Sequence, residues 1–318
     1  MAIEGRGELT TSPTNVGDVV FKNLTRFFAW LVIVIVLLTF YELCFQSRLT
    51  VGKFGFSFIT RSVWDPVNED YGALPFIYGT LVSSFLALLI ALPLGIGVAV
   101  FLTELAPPWL ERPFSFLIEL LAGIPSIVYG MWGLFVMVPW VRSTVQPFLG
   151  SVLGFLPLFR GAPYGIGMLS AGIILAIMIL PIIASISREV LASVPRSQRE
   201  AAFGLGSTRW QATRIAISWA RSGIFGSAIL GLGRALGETM AVTMVIGNRP
   251  AISASLFDPA YSMASVLANE FTEATSDTYL SALIEIALVL FVITIIVNSV
   301  ARLLVWSVTR AGSQPTMG

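Results

Sequence analysis

Two charged residues, Arg234 and Glu238, lie inside an apolar run that extends over residues 223–246. The run is long enough to cross a bilayer as one helix, and an arginine near the bilayer centre costs roughly 2.5–3.5 kcal/mol on insertion scales. Because the two residues are four positions apart, they share one helix face and can form an ion pair that fixes the helix register. Alternatively, the guanidinium of Arg234 binds an oxyanion, while Glu238 orients it and keeps the anion from binding too tightly to leave.

The sequence excludes most covalent chemistry. It contains no histidine, which removes the commonest general base and metal ligand. Its single cysteine, Cys44, cannot form an intrachain disulfide or a cysteine metal cluster. The only lysines are Lys22 and Lys53, and neither lies in the glycine-rich pattern of a P-loop. We therefore expect no catalytic residue, no metal and no cofactor, and any ATP-driven step requires a second polypeptide.

The composition is that of a membrane protein. Of the 318 residues, 56% are hydrophobic and only 12% are charged, against about 25% charged in ordinary soluble domains. The mean hydropathy of +0.84 predicts an integral membrane protein with several spans, whose apolar surface mostly faces membrane lipid or other helices. The net charge of +1 gives no basic field that would favour a nucleic acid partner.

Six apolar runs predict six transmembrane helices in an all-α protein. The first run is longer than the 7–15-residue core of a signal peptide, so we interpret it as a retained span. Glu119 and Glu285 lie inside spans and are expected to face the bundle interior in structural roles. Mid-run prolines are tolerated where neighbouring helices satisfy the backbone. The runs are residues 27–45, 77–102, 114–140, 164–186, 223–246 and 280–306.

The distribution of Lys and Arg predicts the orientation. An even number of spans places both termini on one side. That side carries twelve of the nineteen Lys and Arg residues, the other side carries six, and Arg234 lies within the membrane. The positive-inside rule therefore predicts cytoplasmic termini.

The longest cytoplasmic loop, residues 187–222, contains six arginines. Pro195 followed by good helix formers predicts a helix over residues 195–202, interrupted near Gly204 and Gly206. A second helix is expected over residues 207–219, with residues 207–211 providing its cap. Two interpretations remain open: a compact knob that projects from the membrane, or a basic helix that lies on anionic lipid.

Within this loop, Glu200, Ala201 and Ala202, followed by Gly206, resemble the EAA motif of bacterial ABC importer permeases. The family's motif continues as Ile-x-Leu-Pro, whereas this sequence has Ala-Ile-Ser-Trp at residues 216–219, a departure that concerns only how the second helix ends. Residues 71–107, 119–139 and 231–248 are similar to phosphate importer permeases of the PstC type, and the likeness extends over about residues 70–305.

The resemblance implies a six-helix type I ABC importer permease that translocates inorganic phosphate across the bacterial plasma (inner) membrane. It implies a sister permease of the PstA type, two copies of an ATP-binding subunit and an extracytoplasmic phosphate-binding protein as partners. Glu200, Ala201, Ala202 and Gly206 would then couple the chain to the ATPase. The implied organisation is a cytoplasmic tail (1–26), a first transmembrane helix (27–46), an extracytoplasmic loop (47–76), a permease core (77–307) containing the coupling loop, and a second tail (308–318).

Three alternatives remain open from the residues alone. A secondary transporter driven by an ion gradient would need no ATPase. A permease for another small oxyanion would have the same architecture. A membrane scaffold or sensor would leave Arg234 as a structural partner of Glu238.

Overall fold

The computed structural model describes residues 16–311, with side chains described up to residue 306. The outer parts of the two predicted tails, residues 1–15 and 312–318, lie outside the described residues. The elements in chain order are α1 (Val16–Gln46), α2 (Arg48–Phe54), α3 (Ser57–Thr60), β1 (Trp64–Asp65), β2 (Asp70–Tyr71), α4 (Leu74–Val100), α5 (Pro108–Ala122), α6 (Ser126–Trp132), α7 (Val138–Trp140), α8 (Gln146–Leu153), α9 (Met168–Ala192), α10 (Arg196–Gly204), α11 (Arg209–Leu236), α12 (Met240–Val245), α13 (Met263–Glu270) and α14 (Asp277–Ala311).

Irregular helical turns connect several of these elements. A π-helical turn, Phe101–Leu105, extends α4 at its end. Two more π-helical turns, Gly133–Met137 and Val141–Val145, join α6, α7 and α8 into one long helical segment. A single 3-10 turn, Pro157–Phe159, follows α8. The two short strands pair antiparallel, with Trp64 opposite Tyr71.

Among the described residues, α1, α4, α9, α11 and α14 are long and apolar enough to cross a membrane. A sixth span forms when α5 and the segment Ser126–Leu153 are taken as one bent pair, whose two parts meet at 94°. The predicted all-α fold with six membrane spans is therefore confirmed. The first helix is longer than its apolar run, since it begins at Val16 rather than at residue 27.

Two runs that we predicted as single helices are broken. The run 114–140 breaks at residues 123–125, because Pro125 has no backbone N–H and disfavours helical geometry at Ile124. The run 223–246 ends as α11 at Leu236 and resumes as α12 at Met240. Two features favour this break. Gly237 has a low helix propensity. The Thr239 hydroxyl donates a hydrogen bond to the Gly237 carbonyl at 3.3 Å, so the threonine side chain competes with the backbone hydrogen bonds of a helix.

The core lies where α4 and α9 pack against each other, with α6 and α12 beside them. Ala87 and Ala91 of α4 are fully buried, as are Ile174 and Ile179 of α9, so small side chains on one helix admit branched side chains of the other. At the end of the bundle that carries residues 58–76, buried aromatic residues cluster around Tyr71. In contrast, α1 has no buried residue and packs mainly along α14.

Candidate functional site

The second helix of the loop 187–222 and the following span form one continuous helix, α11. Its start is fixed by a capping box: the Thr208 N–H donates to Gln211 Oε1 at 2.8 Å, and the Gln211 N–H donates to Thr208 Oγ1 at 3.4 Å. The predicted cap within residues 207–211 is confirmed. At a rise of 1.5 Å per residue, the helix extends roughly 38 Å from Arg209 to Arg234. A single rigid element therefore connects the loop with the charged stretch.

The predicted short helix, glycine turn and second helix are all present, and we call residues 196–210 the knob. Gly206 lies between α10 and α11 with φ of +79°, a left-handed conformation that glycine adopts without penalty. Glu200 and Ala201 on α10 are exposed, whereas Ala202 is buried. The side chains of Glu200 and Ala201 are therefore free to meet a partner, and Ala202 packs inward.

The knob also exposes large apolar side chains. Leu205 is 88% exposed, Trp210 is 70% exposed and Phe203 is 49% exposed. Exposed apolar patches of this kind mark contact with another protein or with a membrane. The composition of the loop had drawn attention only to its arginines, so this apolar set was not predicted.

Arg234 and Glu238 do not form the ion pair that their spacing allows. Arg234 lies in the last turn of α11 and is exposed, and Glu238 lies in the break beyond it. Among residues 16–306 there are four ion pairs, and neither residue takes part in any of them. Because α11 ends at Leu236, Glu238 does not continue the helix face that carries Arg234. Its Oε1 instead accepts a hydrogen bond from the Ala241 N–H at 3.4 Å, within the first turn of α12.

The two broken spans meet beside Arg234. The Tyr129 hydroxyl donates to the Leu121 carbonyl at 2.8 Å and so bridges the break between α5 and α6. The same Tyr129 lies close enough to Arg234 for an electrostatic interaction. On the next residue, Gly130, a Cβ atom would lie 3.0 Å from Ala241 Cα, so α6 and α12 are in backbone contact. An exposed guanidinium therefore stands at the junction of two helix breaks, where it can bind an anion without covalent chemistry.

A family model for the binding-protein-dependent transport system inner membrane component matches residues 91–310. The chain belongs to this family. It is similar to the phosphate transport system permease protein PstC of Mesorhizobium japonicum, with 49% identity over 306 residues that cover 95% of this chain and 94% of that protein. It is also similar to PstC of Pasteurella multocida, with 50% identity over 298 residues that cover 92% and 93% of the two chains.

The fold of this inner membrane component is that of a type I ABC importer permease. A solved chain of the inward-facing MetNI methionine ABC transporter superposes with a TM-score of 0.52 at 19% identity, covering 73% of this chain and 94% of that chain. Like other members of the family, the chain is a transporter subunit rather than an enzyme, and ATP hydrolysis takes place on a separate subunit. The region matched by the family model includes the knob, Arg234 and Glu238.

Two of the other charged residues within the predicted spans, Glu119 and Glu285, do not reach Arg234. Glu119 Oε1 pairs with Arg188 Nη2 at 3.2 Å, where α5 packs on α9. Glu285 on α14 is 5% exposed and has no hydrogen-bond partner among the described residues. Neither residue partners the arginine of the candidate pathway.

Sequence reasoning did not predict the ion pair between Arg199 and Glu104, which joins the knob to the π-helical turn at the end of α4. The residues are 95 positions apart, so no local pattern connects them. The only available indication was that Glu104 is a carboxylate just beyond the end of the apolar run 77–102.

Gly130→Ala is expected to destabilise the junction of the two breaks by about 1–3 kcal/mol, the usual cost of overpacking. The added Cβ meets the Ala241 backbone at 3.0 Å, and backbone atoms cannot move aside as a flexible side chain can. Thermal unfolding of the purified permease pair measures the effect. Gly97→Ala is the matched control, because nothing lies within 4 Å of its Cβ position. Equal unfolding temperatures for the two variants would contradict close contact between α6 and α12.

Proposed function

We propose that the chain is the transmembrane permease subunit of an ATP-driven importer that moves inorganic phosphate across the bacterial plasma (inner) membrane. The observation that carries the transport role is the exposed guanidinium of Arg234, unpaired among the described residues, at the junction of two broken spans. The choice of phosphate is supported by the relatives, which share about half of their residues with this chain and are named for phosphate transport.

In this proposal Arg234 contacts the passing phosphate. A guanidinium offers several N–H donors in a fixed plane, and bidentate pairing with phosphate oxygens adds geometric specificity. Glu238 lies nearby in the break and repels the anion, so that the anion binds weakly enough to leave. Because Arg234, Gly237 and Met240 are exposed in the single chain, the pathway is completed by a sister permease of the PstA type.

The knob couples transport to ATP hydrolysis. Glu200, Ala201, Ala202 and Gly206 form the docking segment for the ATPase, which is present in two copies. The apolar side chains of Phe203, Leu205 and Trp210 supply the buried centre of that contact. We favour docking over a helix lying on lipid because α11 begins within the knob, at Arg209, and would pass any displacement of the knob to Arg234.

The remaining boundaries follow from this arrangement. Both tails, residues 1–26 and 308–318, are cytoplasmic, and the permease core extends over residues 77–307. Extracytoplasmic residues 47–76 and 248–279 meet the phosphate-binding protein. The first transmembrane helix, residues 27–46, contacts membrane lipid and the sister permease, in keeping with the absence of any buried residue in α1.

Competition between oxyanions tests the substrate. The complete complex, with the sister permease, the ATPase and the binding protein, is reconstituted in proteoliposomes and supplied with labelled phosphate and ATP. We expect an excess of unlabelled phosphate to block uptake of the label, and the same concentration of sulfate to leave that uptake unchanged. Block by sulfate with no preference for phosphate would favour a permease for another small oxyanion.

A further inference from the structure

Arg199 on α10 makes a dense set of contacts that tie the knob to the membrane helices. Its Nη2 pairs with Glu104 Oε1 at 2.6 Å, and its Nε donates to the same carboxylate at 3.1 and 3.3 Å. Its two Nη groups also donate to the carbonyls of Val194 at 2.8 Å and Leu191 at 2.9 Å. The Arg199 and Glu104 side chains are only 19% and 12% exposed, so solvent screens the pair little. We call this set of contacts the latch.

The latch ends on an irregular part of the fold. Glu104 lies in the π-helical turn Phe101–Leu105 that extends α4, directly before α5 begins at Pro108. Single π-helical turns inside helices are uncommon and are found frequently at functional sites. A displacement of Glu104 therefore acts on a segment whose backbone hydrogen bonding already differs from that of a regular α-helix.

From that turn, α5 leads to the charged junction. Arg188 of α9 holds α5 through Ser115 Oγ at 2.8 Å and Glu119 Oε1 at 3.2 Å. At the other end of α5, the Leu121 carbonyl accepts the hydrogen bond from Tyr129, and Tyr129 is within electrostatic range of Arg234. The chain of contacts from the knob through the latch and α5 therefore reaches the same arginine that α11 reaches directly.

We propose that Arg199 and Glu104 are positioning residues that transmit the ATPase-driven displacement of α10 to α5, and so to the helix break beside Arg234. This inference rests on the proposed function, because it assumes that an ATPase moves the knob. Displacement would then reach the pathway by two routes, through α11 and through the latch, and both sides of the junction would move together. Loss of the latch would leave the ATPase docked and α11 moving, but α5 uncoupled.

Charge reversal tests the latch in the reconstituted complex with binding protein. Arg199→Glu and Glu104→Arg are each expected to lower the phosphate transported per ATP hydrolysed at least tenfold, while the ATPase still co-purifies. The double variant restores the opposite charges and is expected to recover the ratio to within threefold. Glu111→Gln is the matched control, since Glu111 lines the same cytoplasmic crevice as Glu104 but makes no ion pair in the described part of the chain.

Cysteine labelling separates the two routes. In a Cys44→Ser background, the exposed residues Ile127 on α6 and Leu230 on α11 are replaced singly by cysteine, and maleimide labelling is measured with and without ATP. With Glu104→Gln added, we expect the ATP-dependent change at residue 127 to disappear and that at residue 230 to persist. If a charge-reversal variant fails to assemble with its partners, the milder Glu104→Gln variant provides the test instead.

Persistence of the change at residue 127 in Glu104→Gln would overturn the proposal, as would loss of ATPase co-purification in that variant, which would show a purely structural role. Absence of any ATP-dependent uptake in the unmodified complex is a different result, because it would reject the proposed function itself.

Discussion

Replacing Arg234 by glutamine is expected to lower phosphate uptake by the assembled importer about a hundredfold or more, at normal amounts of protein in the membrane. Hydrogen bonds to a charged group contribute about 1.5–3 kcal/mol each, and two of them would be lost from the passing phosphate. Each 1.4 kcal/mol corresponds to a factor of ten. Initial rates of labelled phosphate uptake in proteoliposomes measure the effect, with the membrane content of each variant determined in parallel.

Two further variants test whether Arg234 acts in the pathway or only as a structural partner of Glu238. Arg221→Gln removes another arginine of α11 that makes no ion pair among the described residues, and it should keep normal uptake. The double variant Arg234→Gln/Glu238→Gln should remain inactive, because the structure forms no pair between these side chains. Recovery of uptake in the double variant would support a structural pair. Normal uptake by Arg234→Gln alone would remove this residue from the pathway.

Replacing Gly206 by valine is expected to lower uptake at least tenfold and to weaken ATPase association. The φ of +79° at Gly206 is left-handed, which costs a residue with a side chain roughly 1–2 kcal/mol, and a β-branched residue is a poor fit there. Nothing lies within 4 Å of the added Cβ, so the change strains the turn of the knob without disturbing the membrane core. Co-purification of the ATPase and uptake measured on the same preparation report the outcome.

Gly206→Asn is the matched control, because asparagine visits the left-handed region more readily than other residues with side chains. It should retain most of the uptake and most of the ATPase. If Gly206→Val also kept both at normal levels, the knob would not be the coupling element.

The fold class followed from local features of the sequence. Long apolar runs predict spans because the bilayer sets their length, and the helix cap around Thr208 is a short-range pattern of polar side chains. Helix continuity was harder to predict. Pro93, Pro181 and Pro125 each lie in the middle of an apolar run, so the sequence does not distinguish them. Pro93 and Pro181 nevertheless lie inside unbroken helices, whereas Pro125 breaks its span. Whether neighbouring helices satisfy the freed backbone groups depends on packing, which one sequence does not display.

The same distinction applies to the candidate site. Arg234 stood out because a charge in an apolar run is expensive, and this signal depends on residue type alone. An ion pair between Arg234 and Glu238 requires one continuous helix through both residues. Because α11 ends at Leu236, the two side chains do not share a helix face, and the expected pairing was wrong. The latch between Arg199 and Glu104 depends on how α4, α9 and α10 come together, and the spacing of 95 residues hides it from any local pattern.

We expect this chain to move phosphate only under the control of an ATPase. The most direct measurement is phosphate accumulation in proteoliposomes that contain the chain, its sister permease and the binding protein, with and without the ATPase subunit. We predict accumulation only when the ATPase and ATP are both present. Accumulation driven by an imposed ion gradient in vesicles without the ATPase would contradict the claim and would identify a secondary transporter.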